Sequence, residues 1–437
     1  MSTVLAVTPS STAKDAARMV KPLRRNLVTL LRELVRTNTV AVPPEGTETP
    51  GQIVLRDFLR TYGLRPELYE TAFVAESGHR YAKPGRNYKG RKNLAARIPG
   101  SGRGKSLLFN GHMDTVPASR GTWKFPPAWS GALHQGRVYG LGSFDMKGGL
   151  VAQAAVLCAL KLAGVRPGGD VACESVVDEE WGGGGGTLAA RLRDASFDGC
   201  VISEGTQLEI YRATRGGFVV DLCVQAGDAA AYFSKEEVVS PALPLARLLQ
   251  WVDTWVEKRR GLKSTHAYAG VPDPAPVQVL AVESNRLEMQ VPLSVPLYAG
   301  VRVYFQFLPE ENVDKVIKDI RRSLRDFERQ DAFFHRYPVE WRPVLEAPLL
   351  GHEVAKDHAF AQSMVSSAEA TLGREPVLTV APYPCDAFLV HREFGIPTLL
   401  FGPCGGGAHN VDEYVDVESV ITSAEALTTL ALEWCQG

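Results

Sequence analysis

Apolar residues recur at helical spacing over residues 22–35, behind Pro22, and predict an amphipathic helix. A Pro- and Thr-rich loop over 39–51 separates it from a second helix predicted at 52–62. Residues 71–92 are irregular and polar and read as a flexible flap. Apolar runs of strand length follow at 93–98, 106–110, 171–177 and 199–202. Between them lie an Ala/Leu/Val-rich helix at 149–162 and a helical stretch at 187–192. Five glycines in a row, Gly182 to Gly186, precede that stretch, and such a run favours no structure by itself. Strands alternating with helices predict an α/β fold with an open mixed sheet and a site in the crevice at the strand ends.

The rhythm changes after Gly216. A strand at 218–224, a helix at 242–259, strands at 277–282 and 299–307, a helix at 312–327 and a strand at 339–342 give the order β-α-β-β-α-β. That is a ferredoxin-like α+β insert. The first fold resumes near Glu346 and closes with a helix at 419–434. The predicted division is therefore 1–215 and 345–437 as two segments of one domain, with 216–344 inserted. A length of 437 residues exceeds one ordinary core and agrees with two domains.

Five short clusters carry the chemistry. They read Gly-His112-Met-Asp114-Thr, Gly142-Ser-Phe-Asp145-Met-Lys147, Asp178-Glu179-Glu180, Ser203-Glu204-Gly205 and Gly407-Ala-His409-Asn-Val-Asp412-Glu413. Each offers an imidazole or a carboxylate, and most sit beside glycine or at the end of an apolar run. Zinc accepts both donor types, and a catalytic site keeps a position open for water. A carboxylate has two oxygens and can bridge two ions about 3.5–4 Å apart. Of two adjacent glutamates at a turning strand end, one can ligate while the other takes a proton from water.

Taken in order, these residues resemble the dinuclear-zinc amidohydrolases that include acetylornithine deacetylase, succinyl-diaminopimelate desuccinylase, aminoacylase and glutamate carboxypeptidase. The likeness extends to Trp123, Phe125-Pro126-Pro127, Gly136-Arg-Val-Tyr-Gly-Leu-Gly before Asp145, and Thr398-Leu-Leu-Phe-Gly402 before His409. It implies that His112 and Glu204 hold one metal ion, Glu180 and His409 a second, and that Asp145 bridges them. Zinc is the expected ion, with cobalt or manganese as substitutes. Glu179 becomes the general base, and Asp114 orients His112, whose other N–H needs a fixed partner. The resemblance further implies a cis peptide after Asp145, and that the insert is a lid which also builds a homodimer. Phe144 departs from it, since the family usually has a small residue there.

The expected activity is cleavage of an amide, N-acyl or aminoacyl, in a small molecule by metal-activated water. The alternative is a non-hydrolytic descendant that binds, or that acts on a specialised biosynthetic substrate. An intact ligand set with Glu179 favours hydrolysis. The substrate side is altered relative to the resembled enzymes. Where they carry Gly-x-x-x-His in the lid, this chain reads Gly227-Asp-Ala-Ala-Ala231. Gln306 stands where they place an arginine for a substrate carboxylate, and their Gly-x-x-x-Asn element is not recognisable between Ala267 and Pro296. His266, Tyr232 and Arg215 are candidates to replace the missing donor, and Arg215-Gly216-Gly217 reads as a hinge. Asp386 matches a family loop but also reads as a helix N-cap. Cys385 lacks a nucleophile's partners, and His391 reads as structural.

Composition narrows the partners. A net charge of −1 provides no basic footprint for nucleic acid, and 45% apolar residues is the share of a globular chain. The sequence reads as having no apolar run long enough for a membrane span. Seven cysteines without C-x-x-C spacing predict reduced thiols and a cytoplasmic setting. The first eleven residues lack a basic n-region and a cleavage pattern, and read as a lead-in, not a signal peptide.

Overall fold

The computed structural model describes residues 11–83, 85–226, 239–284 and 297–436. The lead-in over residues 1–10, Ala231 and Tyr232 therefore lie outside the described residues. The chain forms two compact units: one comprises the residues up to Thr214, His352–Ala381 and Cys385 onward, the other Arg215–Gly351 with Pro382–Pro384.

The first unit is built on an eight-stranded mixed sheet. At its centre Thr398–Leu400, Cys200–Ile202, Leu107–His112 and Val171–Val176 run parallel. Lys92–Ile98 and Glu67–Glu70 extend one side antiparallel. Side chains alternate across the sheet: Leu107, Phe109, Val171 and Cys173 join the apolar core, whereas Asn110 and Glu174 point to the opposite face. There Glu174 is buried in an ion pair with Arg191.

The core's central helix is Gly148–Leu162, packed against Val20–Arg36 and Val417–Cys435. Every residue from Gly148 to Leu160 is buried, so its apolar character all round matches its position. The segment Ser143–Leu162 is in fact apolar enough to cross a membrane, with a mean hydropathy of 1.2, but 89% of that stretch is buried within the protein. The segment is no unbroken apolar run, since Asp145, Lys147 and Lys161 interrupt it, and it is a core helix of the first unit. The sequence pattern also missed the helix Ala359–Leu372 and a small antiparallel sheet of Ala132–His134, Arg137–Tyr139, Tyr414–Asp416 and Gly405–Gly406.

The second unit is a four-stranded antiparallel sheet ordered Val277–Glu283, Tyr298–Phe307, Gly216–Gln225, Glu340–Pro343. With the helices Ala242–Arg260 and Val313–Gln330 it follows the ferredoxin-like order. Leu248, Trp251 and Trp255 from one helix, and Ile320 and Leu324 from the other, build a separate core with Val220, Leu222, Val303 and Phe305. A short helix, Ala332–Arg336, precedes the last strand, and Asp331 caps it by accepting the N–H groups of Phe333 and Phe334.

Candidate metal centre

The C-terminal ends of the four parallel strands converge, as the crevice rule for α/β sheets requires. His112 ends Leu107–His112, Glu179 and Glu180 follow Val171–Val176, and Glu204 follows Cys200–Ile202. His409 comes from the loop after Thr398–Leu400. Asp145 sits in the turn Ser143–Lys147 ahead of the central helix, and the peptide Asp145–Met146 is cis.

Asp145 is shared by the two histidines. His112 Nε2 lies 3.0 Å from Asp145 Oδ1, and His409 Nε2 lies 3.1 Å from Asp145 Oδ2. Glu204 Oε1 is 3.7 Å from His112 Nε2, and Glu180 Oε2 is 2.9 Å from His409 Nε2. One potential ligand atom from each of His112, Asp145 and Glu180 fits within 4.8 Å of the others. Glu179 points to a different partner: the N–H of Asp386 donates to its Oε1 at 3.2 Å. The His112 Nδ1 side is held by Asp114, whose carbonyl oxygen is 3.0 Å away and whose carboxylate is 3.6 Å away.

The electrostatics show an appetite for positive charge. Burial opposes a charged His409, but Asp145 and Glu180 outweigh it and raise the imidazole to about 11. Burial likewise opposes ionisation of Asp145, and hydrogen bonds from His112 and His409 still hold it well below the carboxylate range. Glu204, buried and facing the charge of Asp145, is pushed up to about 8. Glu179 is raised well above its ordinary value by burial and by the charge of Asp386. Two imidazoles and three carboxylates crowded together are donor types that a divalent cation such as zinc accepts.

Residues 108–433 match the family described as Peptidase family M20/M25/M40. The chain belongs to that family. It is a metal-dependent hydrolase of amide bonds, the reaction class that goes with this membership. It is 29% identical over 350 residues to succinyl-diaminopimelate desuccinylase of Methylobacterium radiotolerans, covering 77% of this chain and 82% of the relative. It is 22% identical over 431 residues to N-formyl-4-amino-5-aminomethyl-2-methylpyrimidine deformylase of Halalkalibacterium halodurans, covering 94% and 95%. The fold is similar to that of human carnosine dipeptidase 1, with a TM-score of 0.75, 15% identity, and coverage of 98% and 99%.

Around the M20 site the stretch read as a flexible flap forms a strap whose Tyr81, Lys83, Arg86, Tyr88 and Arg91 are buried while most of its other described residues are exposed. Tyr88 is buried and donates its hydroxyl to Asp178 at 2.9 Å. Arg91 bonds Glu48 at 3.0 Å and reaches Asp178 at 3.5 Å. The glycine run is what lets the strap approach. A Cβ at Gly185 would overlap the Tyr88 ring, and one at Gly183 would overlap the Asp386 carboxylate. Asp178, at φ 67, turns the chain just before Glu179, and it accepts the N–H of Gly185.

The other candidates differ in their surroundings. Asp386 is not the side-chain cap of the following turn: Oδ2 is buried with no partner among the described residues, and burial raises the carboxyl to about 7. Cys385 is buried, and its thiol is pushed well up by burial. Arg215 is engaged inside the second unit with Gln306 and the carbonyls of Asp273 and Pro382. His391 lies beside the buried His352, ring centroids 5.3 Å apart. Phe144 wedges its ring where a Cβ at Gly205 or Gly405 would otherwise sit. Sequence reasoning missed Tyr88, Arg91 and the Phe144 wedge; only the glycine run signalled a close approach there.

Proposed function

We propose that this M20 enzyme uses two zinc ions to remove an acyl group from a small N-acylated amine. His112 and Glu204 would hold one ion, Glu180 and His409 the other, with Asp145 shared. The observation that carries this reading is Asp145, whose two oxygens face different histidines at 3.0 and 3.1 Å. Bound there, the metal pair supplies Lewis acidity, which lowers the pKa of water and polarises a carbonyl. Glu179 takes the proton of the attacking water and returns it to the leaving amine. The Asp386 N–H fixes one of its oxygens for that task.

The acyl donor is a specialised molecule rather than a common N-acetyl amino acid. Gln306 is a neutral amide, buried and bonded to Arg215, and would not pair with a carboxylate as arginine does. Ala231 offers no side-chain donor to a scissile carbonyl, and losing such a donor costs on the order of 10²–10³ in turnover. One relative's named substrate carries a formyl group on an aminomethylpyrimidine, the other's a succinyl group on an amino acid. Segment 1–215 with 345–437 would be the catalytic domain and 216–344 the lid. Self-association through the lid is supported by the sheet-edge strand Val277–Glu283, which leaves Val279, Leu280 and Val282 exposed. All seven cysteines are unpaired, which agrees with a reducing cytoplasm.

The test is metal analysis plus a substrate panel. Zinc-supplemented protein should bind two divalent ions, and Asp145→Ala should lose both. A well-folded protein with no bound divalent ion overturns the metal reading. N-formyl, N-succinyl and N-acetyl compounds are then assayed beside Ala231→His. Ordinary family rates on common N-acetyl amino acids by the unmodified protein overturn the substrate reading.

A further inference from the structure

Glu413 has no ligand role in this reading, yet it is 1% exposed and bound to the turn that carries Asp145. Its Oε1 accepts the N–H groups of Phe144 at 2.8 Å and Asp145 at 3.0 Å, and its Oε2 accepts that of Gly142 at 2.8 Å. The backbone joins in, since the Glu413 carbonyl accepts the N–H of Gly140 at 2.9 Å. Three amides can converge on one carboxylate because Gly142 adopts φ 79, a left-handed conformation that turns the chain around the acceptor.

The other end of the connection is His409, four residues earlier. That imidazole is half exposed, so packing does little to hold it. Its loop is pinned by hydrogen bonds instead. The Ser119 hydroxyl donates to the His409 carbonyl at 2.6 Å, the Lys124 N–H donates to Asp412 Oδ1 at 2.7 Å, and Gly407 packs against the Glu413 backbone. Glu413 is thus the point where the His409 loop is tied to the Asp145 turn. The Asp145 carboxylate reaches both histidines only if its backbone is held relative to each of them.

We infer that Glu413 is a positioning residue that sets metal affinity by locking the Asp145 backbone to the His409 loop. This inference rests on the two-metal reading above. The carboxylate geometry makes the amide variant informative. Glu413→Gln retains one oxygen for Phe144 and Asp145 but turns an NH2 toward the Gly142 N–H. Glu413→Ala removes all three acceptances.

The experiment is a zinc titration of the full chain against a chromophoric chelator, well below the melting temperature, with circular dichroism to verify the fold. Partners of ligating groups typically contribute about 10–100-fold to metal affinity. Zinc dissociation constants should rise by about that factor, more in Glu413→Ala than in Glu413→Gln. At saturating zinc, kcat should fall with KM little changed. Folded Glu413→Gln with unmodified zinc affinity overturns the lock and leaves the two-metal reading standing. No zinc bound by the unmodified protein overturns both.

Discussion

Asp114 accepts the backbone N–H of Glu179 on Oδ1 at 3.2 Å, and its Oδ2 accepts the N–H of Glu180 at the same distance. The residue expected to orient His112 therefore also holds the acidic pair. His112 Nδ1 is nearer the Asp114 carbonyl than the carboxylate, 3.0 against 3.6 Å. Replacing Asp114 with Ala should disturb both sides of the site. Zinc affinity is expected to weaken by about 10–100-fold, as for other partners of ligating groups. Turnover at saturating zinc should fall as well, because the Glu179 turn loses its acceptor. Normal turnover once zinc saturates would show that the contact to the acidic pair has no functional weight.

Glu179 and Glu180 are adjacent but face different groups, Asp386 and His409. Glu179→Ala should keep its metal content and lose turnover on the order of 10²–10⁴-fold, the usual contribution of a general base. Glu180→Ala should lose metal. Metal content by mass spectrometry and kcat on an active substrate distinguish the two, and equal metal loss in both would mean that the roles are wrongly divided.

The Phe144 ring fills the space that a Cβ at Gly205 would need. Gly205→Ala should destabilise the protein by about 1–3 kcal/mol, the ordinary range for overpacking. Phe144→Ala removes the obstacle, so the double variant should be more stable than the sum of the single effects allows. A double-mutant cycle from denaturant unfolding measures this coupling, and strict additivity would deny the wedge.

His352 is buried between the Thr214 hydroxyl and the Thr398 carbonyl, and burial followed by the nearby His391 lowers its imidazole to about 3. The unfolded chain, with an ordinary value near 6.5, takes up the proton first as the pH falls. The stability from neutral His352 is thus complete above about pH 6.5 and is lost progressively toward about pH 3. Melting temperatures should drop across that window, and drop less in His352→Gln. Identical pH dependence in the two proteins would remove His352 as the cause.

Much of this arrangement is written locally. Runs such as Leu107–His112 and Val171–Val176 announce buried strands by their apolar length, and the candidate residues His112, Glu179 and Glu180 stand out because they end or closely follow those runs. The insert was legible for the same reason: its helices and strands keep their own periods. Gly148–Leu162 shows where composition stops, since an apolar helix of that kind serves a membrane or a core equally well, and only its neighbours decide.

The sequence by itself determined the α/β class and the inserted ferredoxin-like order, because these depend on local periodicity, and it supplied the candidate ligands through the order of motifs that resembles the dinuclear-zinc amidohydrolases. Tertiary structure alone decided what holds the ligands. Glu413 meets the N–H of Asp145 across 268 residues, and Tyr88 meets Asp178 across 90. The glycine run gained its meaning the same way, as room for a distant ring and carboxylate. Such contacts leave no period in a single chain. They are set by which strands lie side by side and by how closely two backbones must approach.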